Sequence, residues 1–317
     1  MVFADAVINE IPIMASNELT VVVEHLKRIA ELSKDSGAHA LHKRALLEMY
    51  FAAAPEILTI EADVKPVLVG DLVSEWVLPE NANLQHRILY LHGGSWMAGS
   101  SSSHRPLIAR LAKLTGYPIL ALNYRLAPEF PFPAGLEDAI HAFQWLQHNG
   151  PTGKSEAEKL FIMGDSAGGN LSLATLLALK QGQKPMPDAV AVLSPATDLD
   201  YSRDSAQSRA DLDPILSAKA LPFIAANYVQ EQSSYTDPLV SPVFGDLSGL
   251  PPMLVQTGES EILWDDSQRF VEAAKAQGCD ITFSSWPDMP HVFQGYAPLL
   301  PEAVQAQAEL AEFIKKF

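Results

Sequence analysis

After residue 92 the chain alternates short apolar runs with amphipathic stretches, and this alternation restricts its fold more than any other feature. The runs PILALNY (118–124), KLFIMG (159–164), AVAVLS (189–194), PMLVQTG (252–258) and ITFSSW (281–286) are rich in Val, Ile and Leu. Strands buried on both faces of a parallel sheet have this composition. Between them, LEDAIHAFQWLQHN (136–149) and SQRFVEAAKAQG (267–278) carry apolar residues at helical spacing. The pattern predicts a doubly wound α/β sheet flanked by helices. Upstream, ILTIEAD (57–63), VLVGDLVSEWVL (67–78) and HRILYLH (86–92) read as three more strands. The first two are expected to be antiparallel about a turn at Lys65-Pro66.

Two regions fall outside the alternation. Across residues 17–54, Glu18, Val22, His25, Leu26, Ile29, Leu32, Leu41, Leu46 and Leu47 recur at helical spacing. Two helices are expected there, broken near Ser36-Gly37, the second ended by Pro55. From Leu199 to Pro251 no strong strand is legible, but a helix is expected from Ser217 to Val229.

The segment Phe161-Ile162-Met163-Gly164-Asp165-Ser166-Ala167-Gly168-Gly169-Asn170 joins a strand to a helix. Gly164-x-Ser166-x-Gly168 at such a junction is a nucleophile signature. The tight turn lifts the hydroxyl from the carboxyl end of the sheet, and the glycines admit neighbouring backbone. The bare pattern would arise by chance in roughly one chain in ten of this length; its placement between strand and helix favours Ser166 as a nucleophile. Gly93, Gly94 and Ser95 follow RILYLH in His92-Gly93-Gly94-Ser95-Trp96. With the N–H of Ala167 they are candidate donors to an oxyanion. His92 is expected to brace its own loop. A serine nucleophile needs an imidazole, and the imidazole needs a carboxylate. His291 lies in the loop after the last expected strand, in the chain order this chemistry uses. Glu259 and Glu261 both follow PMLVQTG, and spacing alone leaves the choice between them open. Asp265-Asp266 suits the first turn of the next helix.

These residues outline one large catalytic domain at 57–198 and 236–317. The N-terminal segment 1–56 and the insertion 199–235 are expected to form a small helical cap over its site. Trp96, Met97, Ile215, Leu216, Phe223 and Phe293 are candidates for lining the substrate pocket.

Composition excludes several alternatives. With 22 Lys+Arg against 38 Asp+Glu the net charge is −16, and no basic run offsets it, so nucleic acid is not an expected partner. Cys279 is the only cysteine, which excludes an internal disulfide and a cysteine-built zinc site. The start, MVFADAVINEIPIM, lacks a basic n-region, and no apolar run approaches the roughly 18 residues of a membrane span. A cytoplasmic enzyme without metal or cofactor is expected. Gly153-Lys154-Ser155 is not a phosphate loop, because His148 occupies the position of its first glycine. Asp198, Asp200 and Asp204 lack the glycine and terminal Glu of a calcium loop and read as a solvated loop.

Together these motifs resemble the hormone-sensitive-lipase-like family of α/β-hydrolases, from about His86 to Gln294. The resemblance extends to Asn123-Tyr124-Arg125-Leu126-Ala127-Pro128-Glu129, Phe132-Pro133-Ala134, Asp138, Ser194-Pro195, Asp213-Pro214 and Ser241-Pro242. It implies the α/β-hydrolase fold, a mostly parallel eight-stranded sheet with a small helical cap. It also implies a serine carboxylesterase with Glu261 as the acid and His291 as the base. Two departures stand out: Ser95 replaces the third glycine of the family's His-Gly-Gly-Gly, and the acid is Glu where many relatives have Asp. GESEILWDDS (258–267) resembles bacterial acetyl hydrolases and monoterpene lactone hydrolases. The expected substrate is a small ester of short to medium acyl chain. A lactone or N-acetyl substrate for the same triad is the enzymatic alternative, and a non-catalytic ligand-binding receptor is the alternative of another class. Receptors on this fold lack the histidine, so His291 favours the enzyme. Dimerisation through a sheet edge would be consistent with the family.

Overall fold

A computed structural model describes residues 16–317 except 36–39, 202 and 231. The stretch MVFADAVINEIPIM and the helix break at Ser36-Gly37 lie outside the described residues.

Eight strands form one sheet: β1 Asp63–Val69, β2 Leu72–Leu78, β3 His86–Leu91, β4 Ile119–Leu122, β5 Lys159–Asp165, β6 Ala189–Leu193, β7 Met253–Gly258 and β8 Ile281–Trp286. Their spatial order is β1-β2-β4-β3-β5-β6-β7-β8. β2 runs antiparallel to both β1 and β4, and every other neighbouring pair is parallel. The inner strands β4, β6 and β7 are buried at every residue; β4 and β6 are unbroken apolar runs, while β7 also buries Gln256 and Thr257, whose side chains are hydrogen-bonded. The flanking strands β1 and β8 alternate or stay partly exposed.

Helices cover both faces. Leu136, Phe143, Leu171, Leu176 and Phe270 pack one face. They come from α4 (Ala134–His148), α5 (Ser166–Gln181) and α8 (Trp264–Ala276). The other face packs Leu107, Ile108 and Leu111 of α3 (Ser101–Thr115) with Ala306, Leu310 and Ile314 of α9 (Pro301–Ile314). The N-terminal segment contributes α1 (Glu18–Asp35) and α2 (Ala40–Leu47). Among the described residues, the stretch 199–251 holds a short turn of helix, α6 (Ser205–Ser208), α7 (Leu221–Tyr228) and two 3-10 turns.

The six strands from β3 onward lie within two residues of their expected positions, but three boundaries nearer the N-terminus differ. Residues 57–62 are not strand: Pro55–Leu58 is a 3-10 turn and pairing begins at Asp63. The hairpin does not turn at Lys65-Pro66. It turns at Gly70-Asp71, where Gly70 takes a left-handed φ of 60°, and it splits VLVGDLVSEWVL into two strands. Pro66 fits inside β1 because an outer strand does not need every N–H. α2 stops at Leu47, short of Pro55. The Met49 and Tyr50 carbonyls accept instead from His25 Nε2 at 3.0 and 3.1 Å, and that of Tyr50 also from the Tyr296 hydroxyl.

Candidate active site

β5 ends at Asp165 and α5 begins at Ser166, leaving no loop between them. Ser166 is therefore forced to a φ of 52°, a left-handed conformation that costs a non-glycine residue on the order of 1–2 kcal/mol. The packing that holds it there is close. A Cβ on Gly168 would lie 1.9 Å from the Leu91 carbonyl oxygen, and one on Gly164 would lie 2.5 Å from that of Gly168. Only glycine lets α5 start this near β3.

The loop after β3 emerges beside this turn, because Leu91 pairs with Gly164. A buried carboxylate joins the two. Asp165 accepts from the Tyr90 hydroxyl at 2.9 Å, the Gly93 N–H at 3.0 Å and His104 Nε2 at 3.2 Å. Burial would raise its pKa, but His104 and Tyr90 bring it below the ordinary aspartate value. This network corrects the expected donor set. The Gly93 N–H is already engaged by Asp165, whereas Gly94 (φ 124°) and Ser95 (φ 56°) line the cavity in front of Ser166. Ala167 lies in the first turn of α5, where backbone donors have no partner within the helix. His92 braces its loop as expected: it stacks on Tyr124 at 4.4 Å and donates from Nδ1 to the Gly93 carbonyl. Burial, then the neighbouring His104, lower its pKa to about 3, so it stays neutral. Asp165→Asn is expected to lower the melting temperature by several degrees, since removing one partner of a buried charged network costs about 3–5 kcal/mol. Calorimetry would check this.

His291 follows β8. Its Nε2 lies 2.9 Å from Ser166 Oγ, and its Nδ1 bonds Glu261 Oε2. Glu261, fully buried past the end of β7, also accepts from the Gly258 N–H at 2.9 Å and from the Thr257 hydroxyl at its other oxygen. A Cβ on Gly258 would lie 2.1 Å from the Met289 carbonyl oxygen, so the acid's strand end and the base's loop touch through backbone. Burial alone would lower the pKa of His291; the Glu261 carboxylate overrides it, and the net shift is upward. Glu259, the other candidate, is turned away and accepts from Ser285 Oγ at 3.0 Å.

Two further groups support this arrangement: Tyr50, which the sequence did not single out, and Asp213, which it marked only as part of the resemblance, without a role. The Tyr50 hydroxyl donates to the His291 carbonyl at 2.9 Å and ties the base to the N-terminal segment. Asp213 accepts from the N–H groups of Ile215, Leu216 and Ile262 at 2.8 to 3.0 Å, joining the 215–216 loop to the residue after Glu261. Burial raises its pKa to about 6. Asp165 could have been suspected from its place beside Ser166. Tyr50 gave no sequence signal, because its partner is 241 residues away. Tyr50→Phe should cost about 1 kcal/mol of stability, the worth of one neutral hydrogen bond, readable by denaturant titration.

A cavity of about 490 Å³ opens over Ser166 and His291. Met97, Ile215, Leu216 and Phe223 line it as expected. Trp96 and Phe293 do not. Trp96 is buried in a stack on Tyr228 at 4.3 Å, and Phe293 is wholly enclosed against Trp286. Much of the remaining apolar wall comes from Ile29, Leu46, Leu47, Tyr50 and Phe51 of the N-terminal segment, with Leu221, Ile224 and Val292. The expected solvated loop at 198–204 is also partly wrong, because Asp198 is buried and pairs with Arg203 and with Arg269 at 2.9 Å. Among the described residues, no helix is long and apolar enough to cross a membrane.

Residues 88–295 match the family model for the alpha/beta hydrolase fold. An acetyl-hydrolase of Streptomyces hygroscopicus is 40% identical over 250 residues, 78% of this chain and 81% of that protein. An esterase of Acinetobacter venetianus is 35% identical over 270 residues, 85% and 87% of the two chains. The crystal structure of an esterase from the bacterial hormone-sensitive lipase family superposes with a TM-score of 0.87 at 36% identity, covering 96% of this chain and 99% of that one. The chain therefore belongs to the α/β-hydrolases, in their hormone-sensitive-lipase-like branch.

Proposed function

We propose that this protein hydrolyses small carboxylic esters of short to medium acyl chain, with Ser166 as nucleophile, His291 as general base and acid, and Glu261 as its orienting carboxylate. The observation that carries the reading is the unbroken hydrogen-bond chain from Ser166 Oγ through both ring nitrogens of His291 to Glu261. His291 Nε2 takes the proton as Ser166 attacks the ester carbonyl. The developing oxyanion is held by backbone N–H groups from Gly94, Ser95 and Ala167. His291 then protonates the leaving alcohol, and water repeats the sequence on the acyl-enzyme. Glu261 remains ionised throughout and holds the imidazolium.

The family relatives named esterase and acetyl-hydrolase support the same reaction class. An apolar wall built from the N-terminal segment and from residues 215–224 supports the reading of these regions as a cap over the site. The reading is tested with a fluorophosphonate probe and a series of p-nitrophenyl esters. Covalent labelling of Ser166 together with turnover supports it. A protein that binds small molecules tightly but neither labels nor turns over would instead be a receptor on this fold. The acid is tested by Glu259→Gln, expected to keep turnover within about threefold because its carboxylate faces Ser285.

A further inference from the structure

The charges at the mouth of the cavity do not follow the composition of the chain. Acidic residues outnumber basic ones 38 to 22 overall. Yet the lysines and carboxylates that line this cavity are Lys34, Lys43, Lys219 and the single carboxylate Asp165. Asp165 lies at the floor, buried and fully engaged with Tyr90, Gly93 and His104. The mouth itself is therefore all cationic. The three lysines come from three separate places: the end of α1, the body of α2 and the turn leading into α7. None of them forms an ion pair among the described residues, and Lys43 rests its ammonium 4.9 Å over the ring of Phe223 at the rim. Burial grades from floor to mouth. Ile29, Leu46 and Tyr50 are buried, while Lys34, Lys219 and Phe223 are exposed.

A pocket with apolar walls and a cationic rim fits a molecule with an apolar body and a negative end. The three lysines, with no ion pair among the described residues, gather positive charge around one opening, where a ligand entering the cavity would meet it. The long-range field of a protein at −16 repels anions, so an anionic substrate needs local positive charge to be held. We propose that the cavity selects esters carrying a negative charge, such as a carboxylate, several carbons from the scissile bond. The inference rests on the esterase reading above and names its substrate class.

The test compares charged and neutral esters of matched length. One pair places the charge on the acyl side, the p-nitrophenyl monoester of suberic acid against p-nitrophenyl octanoate. A second places it on the alcohol side, 4-carboxybutyl butyrate against pentyl butyrate. The readout is the ratio of kcat/KM, charged over neutral, in the native protein and in the Lys34→Gln/Lys43→Gln/Lys219→Gln variant. Disturbed packing moves both members of a pair and cancels in the ratio. For at least one pair the ratio is expected to fall roughly five- to tenfold, the scale of three partly solvated charge contacts. It should fall likewise in the native protein as salt rises from 0.02 to about 0.5 M, as screening requires; this arm needs no variant to fold. Ratios that stay constant in both arms overturn the proposal. So does a variant that loses binding to phosphatidylglycerol vesicles while both ratios hold, because the lysines would then serve a lipid surface. Absence of turnover on all four esters would instead sink the esterase reading itself.

Discussion

Replacing Ser166 by alanine is expected to lower ester turnover by roughly 10⁴- to 10⁶-fold, the range in which removing a serine nucleophile leaves only the residual effect of binding and the oxyanion donors. The melting temperature should stay within a few degrees. The hydroxyl's hydrogen bond goes to His291, and the strained φ belongs to the backbone, so alanine inherits it. Initial rates on a p-nitrophenyl ester, set beside a thermal melt, separate the two effects. Retention of more than a hundredth of the activity would mean that another residue attacks the substrate.

The second large effect is expected of Glu261→Gln. Thr257 Oγ1 and the Gly258 N–H both donate to one carboxylate oxygen, so a glutamine there would keep its carbonyl toward them. Its NH₂ would then face His291 Nδ1. That nitrogen becomes an acceptor, which puts the ring proton on Nε2, pointing at the serine it should deprotonate. The wrong tautomer costs roughly 10³- to 10⁴-fold. The pH profile should move as well. The base works when neutral, and Glu261 holds its pKa above the ordinary 6.5, so native kcat/KM is expected to rise with pH through a midpoint above that value. Without the carboxylate the residual activity should rise through a lower midpoint. If Glu259→Gln produced the loss and Glu261→Gln did not, the acid assignment would be wrong.

The inner sheet was legible because its strands are short, mostly apolar runs rich in Val, Ile and Leu, and their alternation with longer amphipathic stretches favours strands buried on both faces. Ser166 was legible for a similar reason: the glycines at 164 and 168 are imposed by backbone contacts of 1.9 to 2.5 Å and cannot be hidden by drift elsewhere. Outside the sheet the signals weaken. Ile57 and Val67 looked alike as strand residues, yet one is enclosed in a 3-10 turn and the other lies in β1; local pattern does not say which neighbour will take the backbone groups. Gly93 shows the same limit. Three successive N–H groups look equivalent in sequence, and only the distant Asp165 decides that the first one is already used. Trp96 and Phe293 were misjudged because a large apolar side chain beside a catalytic loop can turn inward to the core as easily as outward to a ligand. Tyr50 and Lys34 needed the packed structure, since each acts at a site whose other members are far away in the chain.

The hydrogen bond from Tyr50 to the carbonyl of His291 has a practical meaning for anyone who would retune this protein. Tyr50 belongs to the same N-terminal segment that walls the cavity. Exchanging that segment for a relative's to alter chain-length preference would also disturb the alignment of the imidazole. Selectivity and turnover are geared together at this end of the molecule, and a graft that carries Tyr50 while preserving Tyr296 is the one that could change the first without surrendering the second.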